Sequence, residues 1–130
     1  MDSGASSTKP GAVVRRADDA PANRVELGTA TTTQVLLGAD DDAPHFAMRR
    51  FRMEDGGGMP LHTNQVEHEQ YVLQGRARIV LGEETVEVAA DDVLLIPAGL
   101  PHSYEVIEAP FEFLCLVPNR PDRIDLVSGE

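Results

Sequence analysis

The amino-acid sequence predicts an all-β domain, a β-sandwich or a small barrel of mostly antiparallel strands, and three observations carry that expectation. Short apolar or alternating runs recur from Val25 onward, each closed by Gly, Pro, Asp or Asn. No stretch sustains helical periodicity over three turns. The 130 residues, 42% of them hydrophobic, suit one domain and are too few for two ordinary ones. A chain of this size can bury about two thirds of its unfolded surface, enough for a core without disulfides.

Residues 1–23 are rich in Ser, Ala, Asp, Gly and Pro and hold only the short apolar pair Val13 and Val14. Little there offsets the entropy of ordering, so a flexible N-terminal arm is expected. The β domain spans residues 24–118. Its strand candidates are TTTQVLLG, HFAMRRFRM, QYVLQG, RARIVLG, ETVEVAA, VLLIPAG, HSYEVIE and FEFLCLVP. Gly75, between the third and fourth runs, and Gly82 to Glu84, between the fourth and fifth, each predict a hairpin. GADDDAPH, residues 38–45, reads as an exposed, solvated loop. Residues 119–130, a tail mixing charge with Ile124, Leu126 and Val127, fit an extra edge strand, a partner contact or a loose end.

Composition excludes several functions. Twenty-two acids against eleven bases give a net charge of −11, which repels a polyanion at long range, so neither nucleic acid nor an anionic membrane surface is an expected partner. The single cysteine, Cys115, cannot staple the chain to itself. The opening MDSGASSTKPGAVVRR has no apolar run of signal-peptide or membrane-spanning length. A soluble, cytoplasmic protein is expected.

Three of the four histidines fall in two segments, GGGMPLHTNQVEHEQYVLQG and DDVLLIPAGLPHSYEV. Strand residues at i and i+2 share a face about 7 Å apart, close enough for both to meet one ion, and His62 and Asn64 have that spacing. His68 follows a short irregular stretch and can swing back to the same face. His102 comes from a later strand, so only the tertiary fold can close the site. Three neutral imidazoles suit Zn, Fe, Ni, Cu or Mn, one divalent transition metal with positions left open for water or substrate. Any one of these histidines alone is more often a surface or hydrogen-bonded residue than a ligand; their spacing argues otherwise. His45, in the acidic loop, is set aside.

Strand parity places further residues. In AMRRFRME the face of Arg50, Arg52 and Glu54 is the solvated one, which turns Ala47, Arg49, Phe51 and Met53 inward. An inward arginine needs a partner. It either clamps a substrate carboxylate, pairs with a core acid, or reaches the rim. Cys115 shares an inner face with Phe111, Phe113 and Val117, as a pocket thiol or as a small apolar packing residue. Gln70 and Tyr104 follow His68 and His102 inward as candidate substrate-binding groups or satisfied core groups. Glu67 and Glu69 lie on the opposite parity, in a solvated turn or as orienting groups behind a ligand.

Gly56, five residues and His62, then Asn64, His68 and Gly75, and later Pro97, Gly99 and His102 together resemble the paired motifs of the cupin superfamily. Three positions depart: Asn64 replaces the second His of HxH, Asp91 stands where the second motif begins with Gly, and Val106 replaces its terminal Asn. His68 takes the slot where most cupins place Glu. The likeness is nearer to small single-domain cupins, some containing manganese, whose first motif reads HxHxxEHE and whose metal is held by four histidines. It runs from Gln34 to Pro118, roughly 85 of 130 residues.

The resemblance implies a cupin double-stranded β-helix, a jelly-roll barrel, with one divalent metal held by His62, His68 and His102. Asn64 then either coordinates weakly, hydrogen-bonds a metal-bound water, or stands at the edge of a three-histidine site. Such a site leaves the ion's charge uncompensated by its ligands, which favours an anionic or enolate substrate. The leading expectation is a metal-dependent, dioxygenase-like oxidoreductase on a small organic substrate. A Lewis-acid isomerase or hydrolase and a non-catalytic binding module are the alternatives. Cupins commonly pair through their sheets, so a homodimer is expected.

Overall fold

A computed structural model describes residues 11–128. Its strands are β1 (Asn23–Arg24), β2 (Thr29–Leu37), β3 (Phe46–Asn64), β4 (His68–Leu81), β5 (Glu84–Ala89), β6 (Val93–Ile96), β7 (His102–Pro118) and β8 (Ile124–Leu126). All pair antiparallel, in the order β1-β2-β3-β7-β4-β5, with β6 on β4 and β8 on β3. The all-β expectation holds. Alternation in β4 shows why: His68, Gln70 and Val72 are buried while Glu69, Tyr71 and Leu73 are exposed, the period of a sheet with one face on a core.

The strands are divided differently from the sequence reading. Leu81 pairs with Glu84, so the hairpin at Gly82 is present. The one at Gly75 is not. QYVLQG and RARIVL run on as the single strand β4, and HSYEVIE and FEFLCLVP as the single strand β7. Gly75 instead marks a bulge, where the β4–β7 register slips between Gln74 and Arg76. Its φ of +83° and the 2.2 Å between a Cβ built there and Pro110 O leave room for glycine alone. The bend lets one strand serve both halves of the barrel without reversing.

Strand β3 bends likewise at its glycine run. The β3–β7 register slips between Met53 and Gly58, where a Cβ would stand 2.1 Å from Tyr104 O. Before the slip β3 faces Phe111–Pro118; after it, β3 faces the other end of β7 and sets His62 opposite His102. The core lies between the bent strands, around Met53, Met59, Val72, Ile79, Phe111 and Phe113. Phe51 and Tyr104 stack on Phe113 with ring centroids 5.2 and 5.4 Å away.

Of the expected arm, residues 1–10 lie outside the described residues. Residues 11–23 run beside β2 and β3, where Arg15 pairs with Asp41, Asp18 pairs with Arg50, and Gln34 Nε2 donates to Ala20 O at 2.8 Å. The tail turns back after Pro118 and contributes β8, an edge strand on His62–Asn64. Among the described residues no helix is long and apolar enough to cross a membrane.

Gly56 and Gly75 both have positive φ, but a Cβ at Gly56 meets nothing within 4 Å. Gly56→Ala should therefore cost about 1 kcal/mol in denaturant unfolding, the price of the backbone alone, and Gly75→Ala at least about twice as much because atoms also collide. Equal losses would show that the close approach to β7 is not what selects glycine.

Candidate metal centre

All eight residues singled out in the sequence, Arg49, His62, Asn64, His68, Gln70, His102, Tyr104 and Cys115, line one cavity of about 200 Å³. Strand β3 supplies Arg49, His62 and Asn64, the start of β4 supplies His68 and Gln70, and β7 supplies His102, Tyr104 and Cys115. His45 lines a separate surface depression, and Glu67 and Glu69 are exposed.

Backbone carbonyls set the two facing imidazoles. His62 Nδ1 lies 2.8 Å from Pro60 O and His102 Nδ1 lies 2.8 Å from Leu100 O. A carbonyl only accepts, so each Nδ1 carries a proton, and in the neutral ring the lone pair then falls to Nε2, the arrangement that orients a metal-ligating histidine. The rings stand 4.2 Å apart between centroids, and His68 stands 6.2 Å from His102. His68 Nε2 and Asn64 Oδ1 are buried with no hydrogen-bond partner, a costly state for groups that can bond. Two lone pairs and two orphaned polar atoms on one small cavity are the donor set a divalent transition ion takes. The residues fit such an ion. As the side chains stand, no three His, Cys, Asp or Glu groups among the described residues converge on an ion-sized point. The rings gather around the cavity without being drawn onto one position.

The same cavity holds a polar cluster centred on Cys115 Sγ, which reaches His68. Arg49 Nη2 is 3.2 Å from it, His68 Nδ1 3.6 Å and Gln70 Nε2 3.6 Å, while Gln70 Nε2 also donates to the Tyr104 hydroxyl at 2.7 Å. Cys115 thus holds His68, Gln70 and Arg49 in place. Burial pushes its thiol and the Tyr104 hydroxyl up, so both keep their protons. Arg49 is half-buried, lies over the Phe51 ring at 5.0 Å, and has no carboxylate within 4 Å among the described residues; its Nε is unpartnered.

Sequence reasoning missed one member. Asp122, from the tail, lines the cavity with Ile124, and its Oδ2 accepts from Asn64 Nδ2 at 2.9 Å. No periodic or motif signal marks it, because its place depends on the tail folding back.

The cupin domain family model matches residues 49–117, more than half of the chain. This chain belongs to the cupin family. Among solved structures it is similar to the polyketide cyclase RemF from Streptomyces resistomycificus, with 30% identity, 88% of this chain and 85% of that one covered, and a TM-score of 0.77. A cupin-2 domain from Rhodospirillum rubrum matches at 26% identity, covering 85% and 76% of the two chains, with a TM-score of 0.72. A predicted oxalate decarboxylase from Thermotoga maritima, 20% identical over 81% and 97% of the chains with a TM-score of 0.70, shares the fold. No curated protein matches the sequence.

In this cupin Asp91, the replacement for the second motif's opening Gly, has φ +75° and so takes up the glycine-like conformation itself, while its carboxylate accepts from the Tyr71 hydroxyl. Nothing in the structure explains Val106.

Burial lowers both His68 and His102 to about 4. Arg49 reinforces this at His68, and the neighbouring His62 at His102. Free imidazole titrates near 6.5. Between pH 6.5 and 4 the unfolded chain therefore takes up protons that the folded one refuses, and falling pH favours unfolding. The metal-free protein should lose on the order of a few kcal/mol across that window, with no contribution from these groups above it. His102→Gln should flatten the slope in thermal melts; an unchanged slope would mean that this imidazole is not held neutral by the fold.

Proposed function

We propose that this cupin is a metal-dependent enzyme acting on a small organic anion, with one divalent transition ion held by His62, His68 and His102. The observation that carries the reading is the single cavity joining three imidazoles to an arginine that no described carboxylate neutralises. When bound, the ion would act as a Lewis acid on a carbonyl or enolate oxygen.

Arg49 would receive the negative end of the substrate through its unpartnered Nε. Phe51, Phe113 and Tyr104, stacked on one another, give the cavity an aromatic side beside it. Tyr104, whose oxygen already accepts from Gln70, keeps a proton to donate. The small cavity, below the usual range of about 300–1,000 Å³ for drug-sized ligands, limits the substrate's size. Ring closure or isomerisation of an enolisable carbonyl compound is the reaction class favoured by the likeness to a polyketide cyclase. The second reading, dioxygenase-like oxidation, draws on a three-histidine donor set that leaves coordination positions open.

Protein purified without an affinity tag should carry about one transition ion per chain by plasma mass spectrometry. His62→Ala should remove it and Asn64→Ala should not. A redox-inactive ion without substrate-dependent oxygen uptake supports the Lewis-acid chemistry, and uptake of oxygen supports the second reading. Failure of the unmodified protein to retain any ion contradicts both.

We also propose that a second copy pairs across the face where Tyr71, Val93 and Leu95 stand exposed side by side on β4 and β6. Sedimentation velocity should give twice the mass of one chain at micromolar concentration, with Leu95→Glu shifting it to one; a wild-type monomer contradicts this.

A further inference from the structure

The C-terminal segment is bonded to the very residues that carry the site. In β8, Ile124 pairs with Asn64 and Leu126 with His62, and Val127 N donates to Leu61 O at 3.0 Å. This pairing fixes the position of Asp122 just before the strand. Its Oδ1 accepts from three backbone N–H groups, those of Gln65 and Arg123 at 2.8 Å and that of Val66 at 3.3 Å. Its other oxygen, Oδ2, is left for the cavity, where it accepts from Asn64 Nδ2 and stands 3.7 Å from His68 Nε2.

We infer that Asp122 is the anionic donor of this metal centre, a carboxylate brought by the tail to the slot that His68 and Asn64 leave unfilled. The inference rests on the metal-binding reading given above. A distance of 3.7 Å is too long for a hydrogen bond. It is close to the roughly 3.4 Å that separates two donors about 2.1 Å from one tetrahedral ion. Of the four buried side-chain atoms with no partner among the described residues, two, His68 Nε2 and Asn64 Oδ1, belong to the residues whose side chains flank Oδ2. A carboxylate there also balances part of a charge that neutral imidazoles leave whole. Asn64 then has a use that a histidine ligand would not: its amide N–H steers Oδ2.

The test uses the full chain with Zn²⁺ and Co²⁺ as probes. Asp122→Asn removes the charge and keeps the shape. It should weaken Zn²⁺ at least tenfold in chelator competition and change the visible absorption of bound Co²⁺. Asp125→Asn, an exposed carboxylate three residues on, should change neither. Far-UV circular dichroism confirms that each variant is folded. Should Asp122→Asn not fold, difference infrared spectra of the wild type with and without Zn²⁺ decide: a shifted carboxylate stretch supports the inference, and an unshifted one overturns it. Equal Zn²⁺ affinity in Asp122→Asn and wild type overturns the inference alone. A wild type that binds neither ion overturns the metal-binding reading, and this inference with it.

Discussion

The pairing of β3 with β7 is the constraint on which everything else in this molecule depends. Both strands are long, and a straight antiparallel pair of such length would splay its ends apart. The register slip at Gly58 lets β3 change course against β7, and the bulge at Gly75 does the same for β4. Only then does His62 face His102 across the ladder while Arg49 faces Cys115 further along the same two strands. Arg49, His62 and His102 share a cavity because they share a strand pair, and His68 joins them from β4. Glycine is required at both bends for steric reasons that have nothing to do with chemistry, and yet the chemistry follows from them.

The interior so formed holds several buried polar groups. Three imidazoles, two amides, a phenol, a thiol and a guanidinium line one space, and burying such groups is costly unless each is bonded. Most are. Carbonyls of Pro60 and Leu100 hold two rings, and Cys115 Sγ lies against the third and against Gln70 and Arg49. What is left over is concentrated: the unpartnered atoms of His68, Asn64 and Arg49 all belong to cavity residues. A fold that satisfies its polar groups elsewhere and leaves these unmatched has stored binding capacity at that point.

Much of this was legible in the sequence. Spacing of His62, His68 and His102 with their glycines and proline identified the fold family, and strand parity alone put Arg49, Gln70, Tyr104 and Cys115 inside. The errors have physical causes. A glycine with positive φ serves a hairpin and a bulge equally well, so Gly75 could not reveal that β4 continues. A strand of two residues, such as β1, is too short to show a period, and for the same reason the edge strand β8 was only one of three readings of the tail. Cys115, open in the sequence between a pocket thiol and a packing residue, lines the cavity with its sulfur against Arg49, His68 and Gln70. Asp122 stood in a charged tail with no local pattern. With Asp122 beside the imidazoles, the case for an anionic substrate passes from the charge of the ion to the guanidinium of Arg49, which no described carboxylate pairs.

The central claim is that three imidazoles from distant parts of the chain meet on one ion. X-ray absorption at the zinc edge of the Zn²⁺-loaded protein tests it most directly. Nitrogen or oxygen neighbours at about 2.0–2.1 Å, with the outer-shell scattering of three imidazole rings, are the predicted result. A sulfur neighbour at about 2.3 Å would place the ion on Cys115 instead, and an absence of imidazole scattering would contradict the account outright.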